Sequence, residues 1–312
     1  MITLNTEKGL VRIDLWVEVI ERPGFVANLD PDTAELEAII GSYQFKDYVT
    51  CGLSTCHQPH GRGYLVTTKD GRETNIGKDC GKKHFSVDFE TMRSAYERDL
   101  QNKEMREKLE TFQGRIPSYL ETIKNIRTGN AGADSLYSLV QSLTIRGKGV
   151  PETVIEEISK MAKARTGRIT RQRQATDAEI DDLEAIQEKK IPRPHYLEED
   201  IGHLGGISAL YPEHNLRTLL VLDVLIQLEL IQHLDIAHLS ECELRAQSKW
   251  VSGLDAKLEI AKRAMREAKI LLSPLNLSQL DVLIREKDDK RLFSKFLAQL
   301  RNNLRDETPL SA

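Results

Sequence analysis

CGLSTCHQPHGRGYLVTTKDGRETNIGKDCGKKHF, residues 51–85, holds three of the chain's four cysteines and three of its eight histidines. Thiol and imidazole donors bunched in this way within a long chain read as a metal site, not as a disulfide framework. Zn²⁺ takes four ligands arranged tetrahedrally, and chains supply them as two close pairs from two local turns. Cys51 and Cys56 make one pair, with Gly52 allowing the turn that aims both sulfurs inward. Cys80 and His84 make the other, one helical turn apart and so on one face. Between the pairs, GYLVTTK (63–69) and RETNIG (72–77) flank Asp70-Gly71, the dipeptide that best tolerates the positive φ angles of a tight hairpin. The spacing predicts a structural Zn²⁺ held by Cys51, Cys56, Cys80 and His84.

The order of knuckle, β-hairpin and ligand-bearing helix resembles the treble-clef zinc finger. Gly77 in IGKDCGKKHF resembles the glycine-containing turn that leads many such fingers into their ligand helix. The resemblance is confined to residues 51–84 and implies a fold element; treble-clef fingers serve nucleic-acid binding, protein binding and catalysis alike. It leaves His57 and His60 unused. Either is an alternative ligand, or both belong to a second, open site, and the plainer reading of QPHG is a surface turn. No Asp or Glu stands beside the pairs like the base of an HExxH helix, which turns the reading towards structure and away from chemistry. The enzyme alternative is an HNH-like nuclease using His57 and His60 as catalytic residues, with Asn75 in support.

Outward from this segment the chain changes character. Aromatics are 5% of the 312 residues, hydrophobics 40%, and aliphatic and long charged side chains dominate, the composition of packed helices. The fold class expected is α+β, predominantly α: a small β-containing zinc module over 1–88, a helical linker region over 89–174, a helical C-terminal domain over 175–303 and a flexible tail at 304–312. In the first part LVRIDLWVEVI (10–20) alternates as a strand, FVANL (25–29) reads as its hairpin partner, and 32–41 reads as a short helix ending at Gly41. Helices are expected at 89–112, 118–127, 134–143 and 151–165. Further helices follow at 176–189, with Thr176 and Glu179 in capping-box spacing, and at 214–239, 240–272, 278–286 and 288–303. ARTGRITRQRQ and KKIPRPH read as linkers.

A formal charge of −4 gives no global attraction to polyanions, so nucleic-acid contact requires local patches. One is Arg62, Lys78, Lys82 and Lys83 around the ligands. The other is Lys160, Lys163, Arg165, Arg168, Arg171 and Arg173, an acid-free run over 160–173 read as a flexible segment that tracks phosphates, or else as a solvated linker. The richest apolar run, LRTLLVLDVLIQLELIQHL (216–234), carries five polar groups and reads as a core helix, and the N-terminus lacks a signal-peptide pattern. The expectation is a zinc-binding cytoplasmic adaptor or regulatory protein, not an enzyme and not at a membrane. It would contact nucleic acid through the basic clusters and partner proteins through its helices; a scaffold that binds only protein is the remaining alternative.

Overall fold

Five strands, β1 (Ile2–Thr6), β2 (Gly9–Ile13), β3 (Leu36–Thr50), β4 (Pro59–Thr68) and β5 (Glu73–Ile76), pair antiparallel in the order β2-β1-β3-β4-β5 in the computed structural model, which describes residues 2–7, 9–129 and 131–304. Apart from Leu304, the expected tail at 304–312 lies outside the described residues. The helix expected at 32–41 is absent, because 36–50 is one 15-residue strand. Ile39, Ile40, Tyr43, Phe45, Val49 and Thr50 favour a pleated surface, and pairing with β4 along most of its length outweighs the local helical pattern. Gly41 is no helix cap: a Cβ there would lie 2.7 Å from a Leu4 methyl and 3.2 Å from the Thr3 carbonyl, so it permits the close approach of β1.

The strand expected at 10–20 stops at Ile13, and α1 (Trp16–Ile20) follows. Of the alternating apolar residues read as the packed face, Val11, Leu15 and Val17 are 45–61% exposed, Ile13 is half-buried and Val19 is buried. Trp16 is the inward side chain, its ring 5.1 Å from Tyr43, 5.9 Å from Phe45 and 6.3 Å from Phe25 between centroids. Aromatic packing of this kind overrides a period-2 pattern. Phe25 and Leu29 form no hairpin with β2; they make isolated parallel bridges to Glu73 and Leu53. The β4–β5 hairpin turns at Asp70-Gly71 as expected, with Gly71 at φ +83°.

After β5, α2 (Lys78–Gln113) runs for 36 residues, broken in its helical geometry at Ser86 (φ 48°, ψ −127°). Within 89–112 the helix is not an exposed linker. Phe89, Tyr96, Leu109 and Phe112 are buried, and the Tyr96 hydroxyl donates to the Thr3 carbonyl at 3.1 Å, which docks the helix on the sheet. One core holds Leu36, Ile39, Cys51, Leu53, Val66, Ile76, Phe89 and Tyr96; a second holds Ile2, Leu4, Val19, Tyr43 and Leu65.

The chain divides into two compact units, Met1–Phe112 with Asp235–Lys249, and Gln113–Leu234 with Trp250–Ala312. The second contains α3 (Ile116–Arg127), α4 (Ala133–Ser142), α5 (Glu152–Ala164), β6 (Arg168–Gln174), α6 (Asp177–Gln187), β7 (Tyr196–His203) and α7 (Ile226–Gln232). Further along, α8 (Glu241–Ser252) lies mainly in the first unit, and α9 (Leu254–Leu271), α10 (Pro274–Ser278) and α11 (Lys287–Asn303) lie in the second. The α6 capping box forms as read, with Thr176 and Glu179 satisfying each other's backbone N–H groups. The single helix expected over 240–272 is two, separated at Gly253. Thr218–Leu225 is a π-helix, in which the Ile226 N–H donates to the Val221 carbonyl.

Candidate metal centre

Cys51 follows directly on β3, and the loop after it is held by backbone on three sides. The Cys51 N–H donates to the Gln58 carbonyl at 3.0 Å, the Gly52 N–H to Asn75 at 2.8 Å, and the Gly52 carbonyl accepts from Leu29 at 2.8 Å. Glycine is required at 52, since a Cβ would fall 2.1 Å from the Thr74 hydroxyl oxygen. Fully buried Leu53 anchors the turn, whose Cys56 N–H donates to the Leu53 carbonyl at 3.1 Å. Cys80 stands in the first turn of α2. Beside it, a Cβ on Gly81 would meet the Phe89 ring at 2.4 Å, because the break at Ser86 folds that ring back onto the first turn.

These elements bring the Cys51, Cys56 and Cys80 sulfurs to within 4.8 Å of one another, with Cys56 and Cys80 3.1 Å apart. In a tetrahedral site with Zn–S bonds of about 2.3 Å the sulfurs stand roughly 3.8 Å apart, so the group fits a thiolate-bound cation. Backbone N–H groups point at the sulfurs: Leu53 and Gly77 at Cys51, and Gln58 at Cys56. Donors so aimed favour the anionic form of a ligand.

Without a cation the three thiols resist joint ionisation. Burial pushes Cys51 up despite its two amide donors, and burial together with the neighbouring Cys56 and Cys51 pushes Cys80 up to about 12. Cys56 is held below the ordinary thiol value: burial opposes this, but the Gln58 amide, the neighbouring thiols and Lys83 outweigh it. A divalent cation among them reverses the balance.

Among the described residues the group contains the three cysteines alone. His84, about 6 Å further along the helix axis than Cys80, is not brought into it. His57 is exposed in the loop with a left-handed φ of 51°. His60 is engaged at both ring nitrogens, Nδ1 with the Gln58 carbonyl at 3.1 Å and Nε2 with the Tyr43 hydroxyl. A carbonyl only accepts, so Nδ1 carries the proton, and Nε2 accepts from Tyr43, whose phenol burial keeps protonated. The Tyr43 oxygen in turn accepts from Asn75 at 3.2 Å, and Asn75 also donates to the Thr50 carbonyl at 2.8 Å. Asn75, Tyr43 and His60 thus form a brace beneath the site, with the His60 ring in contact with Gly77, whose amide faces Cys51. Spacing alone did not reveal this brace, since Tyr43 lies 17 residues from His60 and was read as beyond a helix.

The basic clusters fare differently. Arg62 and Lys78 line a groove with Arg93, Glu97 and Glu104, while Lys82 and Lys83 are exposed on the opening turns of α2. The run at 160–173 is not a flexible segment: it is the end of α5 followed by β6, paired with β7. Lys160 pairs with Glu157, Arg165 with Glu213, Arg168 with Asp200, Arg171 with Glu199 and Arg173 with Glu179, while Lys163 is exposed on α5. The acids that partner Arg168 and Arg171 lie about 30 positions downstream in YLEEDIGH, beyond the reach of a local charge pattern. Cys242 lies exposed in α8, outside the cluster.

No protein-family model matches the chain, and neither a curated protein nor a solved structure does so. Among the described residues no helix is long and apolar enough to cross a membrane.

Proposed function

We propose that Cys51, Cys56 and Cys80 hold a structural Zn²⁺ in a treble-clef-like finger that fastens the β4–β5 hairpin to the start of α2. The observation that carries this reading is the convergence of three thiols beneath backbone amides aimed at their sulfurs. With no carboxylate in the group to act as a general base, the ion's role is to hold the first unit together. Thiolate ligation of this kind belongs to a reducing compartment, which supports a cytoplasmic protein.

Around that ion the protein acts as an adaptor or regulator, contacting nucleic acid through Arg62, Lys78, Lys82 and Lys83 and partner proteins through its helical part. The α2 lysines stand at a helix N-terminus, which already favours phosphate. The arginines of 165–173 contribute less because acids already neutralise them. Binding to duplex DNA and to RNA across a salt series tests this. Four phosphate contacts give a log–log slope of roughly −3 to −4 on a duplex. Lys82→Ala with Lys83→Ala flattens it, and Arg171→Ala does not. A salt-independent response, or no binding at low salt, refutes the nucleic-acid reading and leaves a protein-binding scaffold.

A further inference from the structure

The second unit contains a cavity of about 170 Å³ walled by α4, α9 and the 3₁₀ turns at Ile207–Leu210 and Pro212–His214. It exists because α9 presents Ala264 and Ala268 there, each 1% exposed, where a leucine would fill the space. No charged side chain lines it. The polar side chains at its wall are Tyr137, Gln141, Thr144, Tyr211, His214 and Asn215. Their hydrogen-bonding sense is partly fixed. His214 Nδ1 donates to the Ser208 carbonyl at 2.8 Å. The Asn215 side-chain oxygen accepts from the Thr218 N–H at 3.1 Å, which leaves its NH₂ to donate.

Three unusual backbone and packing features converge on this wall. Tyr211 and His214 stack nearly parallel, 20° between ring planes, and the Arg165 guanidinium covers the Tyr211 ring at 4.6 Å while paired with Glu213 at 2.8 Å. Arg165 adopts a left-handed φ of 52°, a conformation that costs a non-glycine residue energy and is retained where the surroundings demand it. The π-helix of Thr218–Leu225 begins two residues after Leu216, another wall residue; such turns are rare and are frequently found at functional sites.

The geometry points to a binding site for a small, uncharged, planar heteroaromatic ring that both donates and accepts hydrogen bonds, of the size and type of a free pyrimidine base. Size sets the upper limit: a cavity of about 150 Å³ accommodates benzene, so 170 Å³ takes a single ring with small substituents, the size of a pyrimidine base. Charge excludes nucleotides and carboxylates, whose anionic groups would lie against uncharged walls. A polar rim selects a heterocycle over a hydrocarbon, because a ligand without polar edges leaves the Gln141 and Asn215 amides unpaired.

Calorimetric titration of the zinc-loaded full chain with cytosine, and with benzene as the apolar control, tests the site. Saturable 1:1 binding of cytosine, tighter than benzene, is the expected result. Gln141→Leu, at a half-buried position, weakens that binding about tenfold, and Ala268→Leu abolishes it. Should Ala268→Leu fail to fold, Gln141→Leu decides. Absence of saturable binding of cytosine, an affinity for benzene equal to it, or an affinity untouched by Gln141→Leu overturns the assignment.

Discussion

Gly81→Ala sets two physical effects against each other beside the metal centre. In an ordinary helix interior the substitution stabilises by about 1 kcal/mol, because alanine has the higher helix propensity and glycine the larger entropy to lose. Gly81 has a negative φ and sits inside α2, so propensity alone predicts a gain. The added methyl, however, would lie 2.4–2.6 Å from three carbons of the Phe89 ring, which is fully buried. Contacts so short force the ring or the helix to move, and overpacking of this kind costs about 1–3 kcal/mol. Steric cost matches or exceeds the propensity gain, and the net expectation is destabilisation by up to about 2 kcal/mol. Urea denaturation of the zinc-loaded protein, monitored at the first unit, gives the magnitude. A Gly81→Ala/Phe89→Leu double mutant should recover part of the loss relative to Phe89→Leu alone, since the smaller side chain vacates the contested space. A stabilised Gly81→Ala protein would show that the Phe89 ring does not rest on the first turn of α2, and the account of how Cys80 is positioned would fall with it.

Three further expectations follow from the same region. Ser86→Gly stabilises by about 1 kcal/mol, since φ 48° with ψ −127° is strained for serine and free for glycine, and an unchanged or lowered denaturation midpoint refutes that strain. Tyr43→Phe removes the donor to His60 and the acceptor of Asn75 in a buried setting, costing about 1–3 kcal/mol in the same assay; a neutral result disproves the brace. Zinc affinity rises with pH. Cys51 and Cys80 are raised above the ordinary thiol value, so both are protonated at neutral pH and a binding cation must displace at least those two protons. Apparent affinity therefore falls about a hundredfold per unit as pH drops through the neutral range, and competition titrations with a chelator at pH 6, 7 and 8 that give a flat profile exclude thiolate ligation.

What the sequence disclosed, and what it hid, divides along the range of the interactions involved. The Asp70-Gly71 hairpin, the Thr176–Glu179 capping box and the grouping of Cys51, Cys56 and Cys80 were legible because each rests on a few neighbouring residues. Residues 36–41 were misread because their helical pattern is local, while the strand they begin is stabilised by β1 and β4, whose registers appear only in the fold. The inward packing of Trp16 was not legible for a similar reason: its partners Tyr43 and Phe45 come from the distant β3. The arginines of β6 looked unopposed until β7 placed Glu199 and Asp200 across from them. His60 shows the same limit at the site itself. As a lone histidine near two cysteines it reads as a ligand or a base, and its actual partners, Tyr43 and the Gln58 carbonyl, come from another strand and from a loop carbonyl.

Metal content tests the central claim most directly. Elemental analysis of the purified protein, paired with titration of its accessible thiols, should find about one zinc per chain, with Cys51, Cys56 and Cys80 protected from thiol reagents until a chelator is added and Cys242 reactive throughout. Cys56→Ser and Cys80→Ser should each lose the ion. A folded wild-type protein that carries no metal and shows four reactive thiols, or one that joins Cys56 to Cys80 in a disulfide in place of an ion, would contradict it.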